Sequence, residues 1–220
     1  MTRTIKRAGL ALALALLGST AAPLRAASAT VPNKAKTETV IFAGGCFWGI
    51  QSVFQHTKGV VSATSGYAGG NVDRPGYEQV GSGRTGHAES VKVVFDPAQI
   101  SYMQLMRIFF SPFIHDPTEL NRQGPDVGTQ YRSAVFASTE EQKKATDAYI
   151  DQLNKSHVYP RPIVTQVSVN TRFWPAEAYH QNYAELHPDN PYIAINDAPK
   201  VVSLKKAFPE LYSDKLAAHE

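Results

Sequence analysis

The stretch TVIFAGGCFWG at residues 39–49 establishes the first structural unit of this chain. Residues 39–43 form an apolar run, which predicts a buried β-strand. Gly44 and Gly45 allow a sharp turn after it, because glycine adopts backbone angles that other residues avoid. Apolar residues then recur at positions 47, 50, 53 and 54, a spacing typical of a helix. The sequence therefore predicts a strand, a glycine turn and a helix in immediate succession.

Cys46 is the only cysteine among the 220 residues. It falls at or just before the N-terminus of the predicted helix, where unpaired backbone N–H groups and the helix dipole favour a thiolate. A single cysteine is more often an inert buried residue. A position between a glycine turn and a helix favours a nucleophile instead. One cysteine also excludes a disulfide within the chain.

Residues 1–29 have the pattern of a secretory signal peptide. Three cations within the first seven residues precede an apolar run over residues 8–17, and small residues at 27–29 supply a cleavage site. A membrane anchor needs about 20 apolar residues, and this run is much shorter. We therefore expect export, with the periplasm as the compartment, and no membrane association.

The charge of the chain depends strongly on this segment. The whole sequence carries a formal net charge of +3, but residues 1–29 contain four cations and no acid, which leaves −1 for the remainder. A nucleic-acid partner therefore loses its electrostatic support, and none is expected. Residues 30–37 are polar and aperiodic, and they are predicted to be a flexible leader.

The remaining residues predict one compact α+β domain. Strands are predicted at 39–43, 60–67, 90–95, 133–137 and 163–169, and helices from 47 onwards, at 102–110, after Thr139, at 176–186 and at 199–208. Residues 76–86 and 115–131 are predicted to be irregular. Because strands and helices mix without strict βαβ repetition, we expect a mixed or antiparallel central sheet flanked by helices.

Glu89 is the second residue with a chemical signal. In an extended strand it shares a face with Val91, Val93 and Phe95, because alternate side chains point the same way. A carboxyl group on that apolar face would have a raised pKa and could act as a general acid near neutral pH. The alternative is that the strand end frays and Glu89 turns into solvent.

Tyr67 and Tyr131 both lie in loop-like sequence. A tyrosine whose ring packs while its hydroxyl meets any acceptor is the common case. Two tyrosines near a cysteine could instead donate hydrogen bonds to a polar substrate oxygen.

Other patterns in the sequence give weaker signals. The segment GSGRTG at 81–86 matches a dinucleotide-binding fingerprint but leads into a strand rather than a helix, so that function is excluded. The seven histidines lack metal-ligand spacing, and no metal site is expected. His180 and Asn182 follow Cys46 at the spacing of a papain-like cysteine hydrolase, which is one alternative function. A non-catalytic exported binding domain, with Cys46 as packing only, is another.

Six short motifs together resemble the A-type peptide methionine sulfoxide reductases. They are GGCFWG at 44–49, GYAGG at 66–70, TGHAE at 85–89, HDPT at 115–118, DVGTQYRS at 126–133 and AYHQ at 178–181. They occur in the family's order over residues 38–212, which we interpret as the reductase domain, followed by a tail at 213–220. The resemblance implies a compact α+β fold around a mixed sheet.

The resemblance also implies an activity and roles for individual residues. Cys46 would attack the sulfur of a methionine S-sulfoxide, free or in peptides and proteins, and become a sulfenic acid. Glu89 would protonate the departing oxygen, Tyr67 and Tyr131 would hold it, and Asp126 would be a further polar partner. Phe47 and Trp48 would form an apolar wall for the S-methyl group.

The chain departs from many family members because it has no further cysteine near the C-terminus. The sulfenic acid must then be reduced by an external thiol, a thioredoxin-like protein or, in vitro, dithiothreitol, and no bound cofactor is expected. The expected partners are this thiol donor and oxidised proteins and peptides that contain methionine sulfoxide. The expected role is repair of exported proteins under oxidative stress.

Overall fold

The computed structural model of the chain describes Met1 and residues 36–219. The predicted signal peptide and most of the predicted leader lie outside these residues. None of the helices in the described part is long and apolar enough to cross a membrane.

The central feature is a six-stranded sheet. Its strands are β1 (Glu38–Gly44), β2 (Val60–Ala68), β3 (Ala88–Phe95), β6 (Ser133–Ala137), β7 (Gln166–Val169) and β8 (Phe173–Pro175), and a separate hairpin pairs β4 (Arg122–Gln123) with β5 (Asp126–Val127). The order across the sheet is β7-β6-β1-β3-β2-β8. Only the β6–β7 pair is parallel among the pairs described, so the sheet is mixed. The predicted α+β class with a mixed sheet is confirmed.

Six α-helices are described around this sheet. They are α1 (Phe47–Gln55), α2 (Tyr77–Gly81), α3 (Tyr102–Phe109), α4 (Glu140–Lys155), α5 (Tyr183–Leu186) and α6 (Ala198–Ala207), with 3₁₀ turns at Thr129–Tyr131 and Ala178–His180 and a π-turn at Ile193–Asp197. Start signals in the sequence explain some of their boundaries. Ser101, for example, begins α3 by accepting the backbone N–H of Gln104 with its side chain.

The core lies between the sheet and helices α1 and α3. Phe42 of β1 stacks between Phe54 of α1, with 4.8 Å between ring centroids, and Phe109 of α3, at 4.6 Å. All three side chains are buried. Because apolar burial is the main source of folding free energy, this stack holds α1 against the end of β1. The short turn between them carries Cys46.

Two segments differ from the sequence-based expectation. The predicted irregular segment 76–86 contains the short helix α2, which brings Tyr77 beside the site described below. The helix predicted at 176–186 is interrupted at Asn182, which has a left-handed backbone with φ of 56°. Asn182 leaves the helical path because its backbone N–H donates to the side chain of Gln51 on α1, and asparagine tolerates this conformation.

The predicted tail is joined to the domain by backbone hydrogen bonds. The N–H of Ala217 donates to the carbonyl of Gln55 over 2.8 Å, and the N–H of Ala63 in β2 donates to Ala218 over 2.8 Å. Residues 217 and 218 therefore extend the hydrogen bonding of α1 and β2.

Candidate active site

Cys46 occupies the N-cap position of α1, as the sequence predicted. The preceding Gly45 has a φ of +93°, and a Cβ there would lie 2.6 Å from the side chain of Gln123. Both the backbone angle and the close approach therefore require glycine. Cys46 itself is buried, with 9% of its surface exposed.

The protonation state of Cys46 is set mainly by burial. Burial and the neighbouring Glu89 and Asp197 charges hold the pKa of the thiol well above its usual range, against the backbone N–H of Trp48 and the charge of Lys200. The helix N-terminus favours the thiolate as expected, but loss of water outweighs it. In the resting protein Cys46 is therefore a thiol.

Glu89 lies on the buried face that strand alternation predicted. Its side chain is 3% exposed, and Val91, Val93 and Phe95 on the same face are fully buried. The backbone N–H of Phe47 donates to Glu89 Oε2 over 3.0 Å. Burial raises the pKa of Glu89 to about 8, and the nearby Asp126 and Asp197 add to the effect. The alternative, in which the strand end frays and Glu89 turns into solvent, is therefore wrong. The carboxyl group of Glu89 is protonated at neutral pH.

Tyr67 lies directly opposite Glu89 in the β2–β3 register. It belongs to a strand rather than to a loop, and its ring is fully buried. Its hydroxyl donates to Glu177 Oε2 over 2.8 Å, and Glu177 Oε1 accepts the backbone N–H of Tyr77 over 2.9 Å. Glu177 thus orients two tyrosines, a role that its sequence position gave no means of predicting.

Tyr131 and Asp126 approach the site from the long segment after α3. Tyr131 ends a 3₁₀ turn, and burial, followed by the charges of Glu89 and other neighbours, raises the pKa of its hydroxyl. It therefore remains a hydrogen-bond donor. Asp126 accepts a hydrogen bond from the hydroxyl of Tyr192. Tyr192 was absent from the sequence-based candidates because its approach to Asp126 is a tertiary contact.

Phe47 and Trp48 form an aromatic surface at the start of α1. The Phe47 ring is buried 5.9 Å from the ring of Tyr67. The half-buried Trp48 ring stacks on Tyr183 with 4.0 Å between centroids and meets the edge of Tyr192 at 6.0 Å. An apolar group bound beside Cys46 would contact this surface.

His180 supports the aromatic surface and does not pair with Cys46. Its Nδ1 accepts the indole N–H of Trp48 over 3.1 Å, and its buried Nε2 has no hydrogen-bond partner among the described residues. Burial lowers the pKa of His180, so the ring is neutral. Asn182 bonds to Gln55 rather than to His180. The Cys–His–Asn arrangement of a papain-like hydrolase is therefore not formed.

The site as a whole combines a buried thiol, a neutral carboxyl group and phenol donors. Such a set can transfer a proton to an oxygen atom bound next to the sulfur. In the described part of the chain, no group of three or more His, Cys, Asp or Glu side chains is arranged to hold a metal ion.

Comparison with known proteins identifies relatives along most of the chain. The family model described as peptide methionine sulfoxide reductase matches residues 38–212. The peptide methionine sulfoxide reductase MsrA 2 of Mesorhizobium japonicum is 57% identical over 179 residues, which are 81% of this chain and 91% of that protein. The MsrA of Deinococcus radiodurans is 49% identical over 187 residues, 85% of this chain and 87% of that protein.

Solved structures show the same similarity. Methionine sulfoxide reductase A of Corynebacterium diphtheriae superposes with a TM-score of 0.62 at 35% identity, covering 69% of this chain and 76% of that one. The reduced form of Mxr1 from Saccharomyces cerevisiae gives a TM-score of 0.66 at 32% identity, covering 72% and 90%. The chain therefore belongs to the A-type peptide methionine sulfoxide reductases, a family of oxidoreductases.

Proposed function

We propose that the chain reduces methionine S-sulfoxide, free or in peptides and proteins, through a sulfenic acid on Cys46. The observation that carries this proposal is the protonated, buried Glu89 bound to the backbone of Phe47, the residue next to Cys46. A neutral carboxyl group at this place is suited to donate a proton near neutral pH.

The first step is balanced within the site. The sulfur of Cys46 attacks the sulfoxide sulfur while Glu89 gives its proton to the sulfoxide oxygen, and Glu89 takes up the proton of the Cys46 thiol. The attack forms a bond between the two sulfur atoms. The sulfur–oxygen bond of the substrate then breaks, the protonated oxygen passes to the sulfur of Cys46, and the sulfur–sulfur bond breaks. Methionine leaves, and Cys46 is a sulfenic acid, the first stage of cysteine oxidation.

The other site residues position the substrate. The hydroxyl of Tyr131 makes no hydrogen bond to any described residue, so it is available to the sulfoxide oxygen. The hydroxyl of Tyr67 already donates to Glu177, which holds it in one orientation in the site. Phe47 and Trp48 receive the S-methyl group, and Asp126 with Tyr192 provides a polar edge.

Regeneration uses an external thiol, because the 220 residues contain no second cysteine. One thiol forms a mixed disulfide with Cys46 and releases water, and a second thiol releases Cys46 as a thiol. A thioredoxin-like protein can supply both sulfur atoms, and dithiothreitol can do so in vitro. The two electrons come from the thiols, so no prosthetic group takes part.

We also propose export to the periplasm and repair of oxidised proteins there. The support is the charged, apolar and small-residue pattern of residues 1–29. Fusion of these residues to a reporter that is active only after export tests this part. A reporter that stays in the cytoplasm contradicts it.

A single assay tests the activity. The protein is incubated with a methionine sulfoxide peptide and dithiothreitol, and methionine formation is followed by mass. We expect the S epimer to be consumed and the R epimer to remain. Equal consumption of both epimers, or cleavage of the peptide, contradicts the proposal.

A further inference from the structure

A cleft of about 250 Å³ reaches Cys46 from the side of α6 and the segment after α3. Its polar walls include Asp116, Asp126, Tyr192 and Lys200. Of the eight residues assigned above to sulfoxide reduction, Cys46, Asp126 and Tyr192 line this cleft, whereas Glu89, Tyr67, Tyr131, Phe47 and Trp48 do not. Cys46 is therefore accessible along a path whose walls do not include Glu89 or the aromatic surface.

Lys200 is held at this cleft by a buried carboxylate. Its Nζ lies 2.7 Å from Asp197 Oδ1, and the Asp197 side chain is fully buried. Asp197 in turn packs against the first turn of α1, where a Cβ at Gly49 would lie 2.2 Å from its Oδ1. Asp197 Oδ2 has no hydrogen-bond partner among the described residues. The Asp197–Lys200 pair is therefore closely packed against α1, the helix that Cys46 caps.

Among the described residues that line the cleft, Lys200 carries the positive charge, because the other ionisable side chains are acidic or neutral. Asp126 is bonded by Tyr192, and Asp116 lies 3.5 Å from the exposed Arg161. Burial lowers the pKa of His115 to about 4, so its ring is neutral. Buried ion pairs often contribute little to the free energy of folding. Stability alone therefore does not account for the Asp197–Lys200 pair. An ammonium group beside Cys46 can stabilise a second sulfur anion there.

We propose that this cleft admits the small-molecule thiol that reduces the Cys46 sulfenic acid, and that Lys200 stabilises the incoming thiolate. The inference rests on the proposed function, since it concerns the second half of the same cycle. The cleft is smaller than the usual pocket for a drug-sized ligand, roughly 300–1,000 Å³, which suits a compact thiol. Asp197 is the positioning residue, because it holds the Lys200 ammonium group in place.

The chemistry of the step is balanced. The thiol loses its proton to water in the cleft, and the thiolate sulfur attacks Cys46. The bond between the Cys46 sulfur and oxygen breaks, and the hydroxyl group takes up a proton and leaves as water. The product is a mixed disulfide, which a second molecule of thiol attacks to restore the Cys46 thiol and release a disulfide. Two thiols are oxidised and one sulfenic acid is reduced.

The test separates the two halves of the cycle. Each protein is first oxidised with a methionine sulfoxide peptide in the absence of thiol, and the rate of methionine release is recorded. After removal of the peptide, 2-mercaptoethanol is added, and dimedone labelling with mass detection follows the loss of sulfenic acid. The proteins are the wild type, Lys200→Met, Lys200→Arg and the double variant Asp197→Asn/Lys200→Met. Lys206→Met, at an exposed position of the same helix, is the control.

We expect Lys200→Met and the double variant to lose sulfenic acid roughly tenfold more slowly, because a neighbouring cation lowers a thiol pKa by one unit or more. The double variant leaves no unpaired buried carboxylate, so it keeps the test valid if the single variant fails to fold. Lys200→Arg retains the charge and should stay within about threefold of the wild type. Lys206→Met should equal the wild type in both steps. Because the charge of Lys200 also lowers the pKa of the Cys46 thiol, Lys200→Met should slow methionine release, but by a smaller factor than it slows the loss of sulfenic acid.

Regeneration of both Lys200→Met and the double variant at the wild-type rate overturns the inference while the proposed function stands. Equal slowing of methionine release also overturns it, because Lys200 would then act on Cys46 and not on the thiol. If the wild type itself forms no dimedone-reactive Cys46, the proposed function fails and the inference fails with it.

Discussion

The backbone N–H of Phe47 donates to the carboxyl group of Glu89 over 3.0 Å, which places a protonated acid at the first turn of the helix that Cys46 caps. The contact joins the start of β3 to the start of α1. It therefore ties the position of the acid to the position of the nucleophile.

Replacement of Cys46 by Ser should abolish sulfoxide reduction and leave the fold intact. A serine hydroxyl has nearly the same size but is a far weaker nucleophile at neutral pH. Methionine release from a sulfoxide peptide measures the activity, and circular dichroism checks the fold. Retention of a tenth of the wild-type rate would show that another group attacks the sulfur.

Glu89→Gln should slow sulfenic acid formation about 10²–10⁴-fold, the usual contribution of general acid catalysis. The amide keeps the shape of the side chain but has no acidic proton to give. A single-turnover measurement of methionine release isolates this step. Glu78→Gln, at an exposed position of α2, is the matched control and should have no effect. A wild-type rate in the Glu89 variant would remove Glu89 from the mechanism.

The pH dependence of the first step should follow the proton on Glu89. Because burial raises the pKa of this carboxyl group to about 8, the acid form dominates at neutral pH and is lost above pH 8. The single-turnover rate should therefore fall as pH rises through about 8. A rate that continues to rise with pH would indicate that deprotonation of Cys46 alone controls the step.

The same raised pKa has a consequence for stability. The folded protein favours the protonated form of Glu89, so its free energy of unfolding should fall as pH rises from about 4.5 to about 8, by a few kcal/mol. Glu89→Gln removes this dependence, and its stability relative to the wild type should grow over that range. Urea unfolding at pH 5 and pH 8.5 measures the difference. A constant difference at the two pH values would contradict the buried, raised-pKa state.

Alternation along β3 placed Glu89 on the apolar face, because the period of a strand is a local property, but it left open whether the strand end frays and turns Glu89 into solvent. The position of Cys46 at the start of α1 followed equally from local signals. Other features depend on segments far apart in sequence. The contacts of Glu177 with Tyr67, and of Asp197 with Lys200 beside Gly49, exist only after α1, β2 and the C-terminal helices pack.

The protonation state of Cys46 is the clearest example of a property that local sequence signals do not determine. The helix N-terminus is visible in the sequence and favours a thiolate. Burial and the charges of Glu89 and Asp197, which raise the thiol pKa, arise from tertiary packing. Likewise, sequence spacing alone suggested a hydrolase for Cys46 and His180, whereas the fold uses His180 to hold the indole of Trp48.

Tyr131→Phe should reduce the rate of the first step more than Tyr67→Phe. The hydroxyl of Tyr131 is free to donate to the sulfoxide oxygen, whereas the hydroxyl of Tyr67 is bonded to Glu177. Loss of one donor to a reacting oxygen typically costs about 10²–10³-fold in rate, and we expect this range for Tyr131→Phe. Single-turnover rates of the two variants provide the comparison. A larger loss in Tyr67→Phe would show that Tyr67 leaves Glu177 to bind the substrate.

The most direct test of the account is a single turnover of the wild type without any reductant. A slight excess of methionine sulfoxide peptide should yield one methionine per chain and then stop, because the chain has no second cysteine. Dimedone should label Cys46 as a sulfenic acid, detected by mass, and a non-reducing gel should show a monomer. Continued turnover without thiol, or a catalytically competent covalent dimer through Cys46 as the main product, would contradict the proposed cycle.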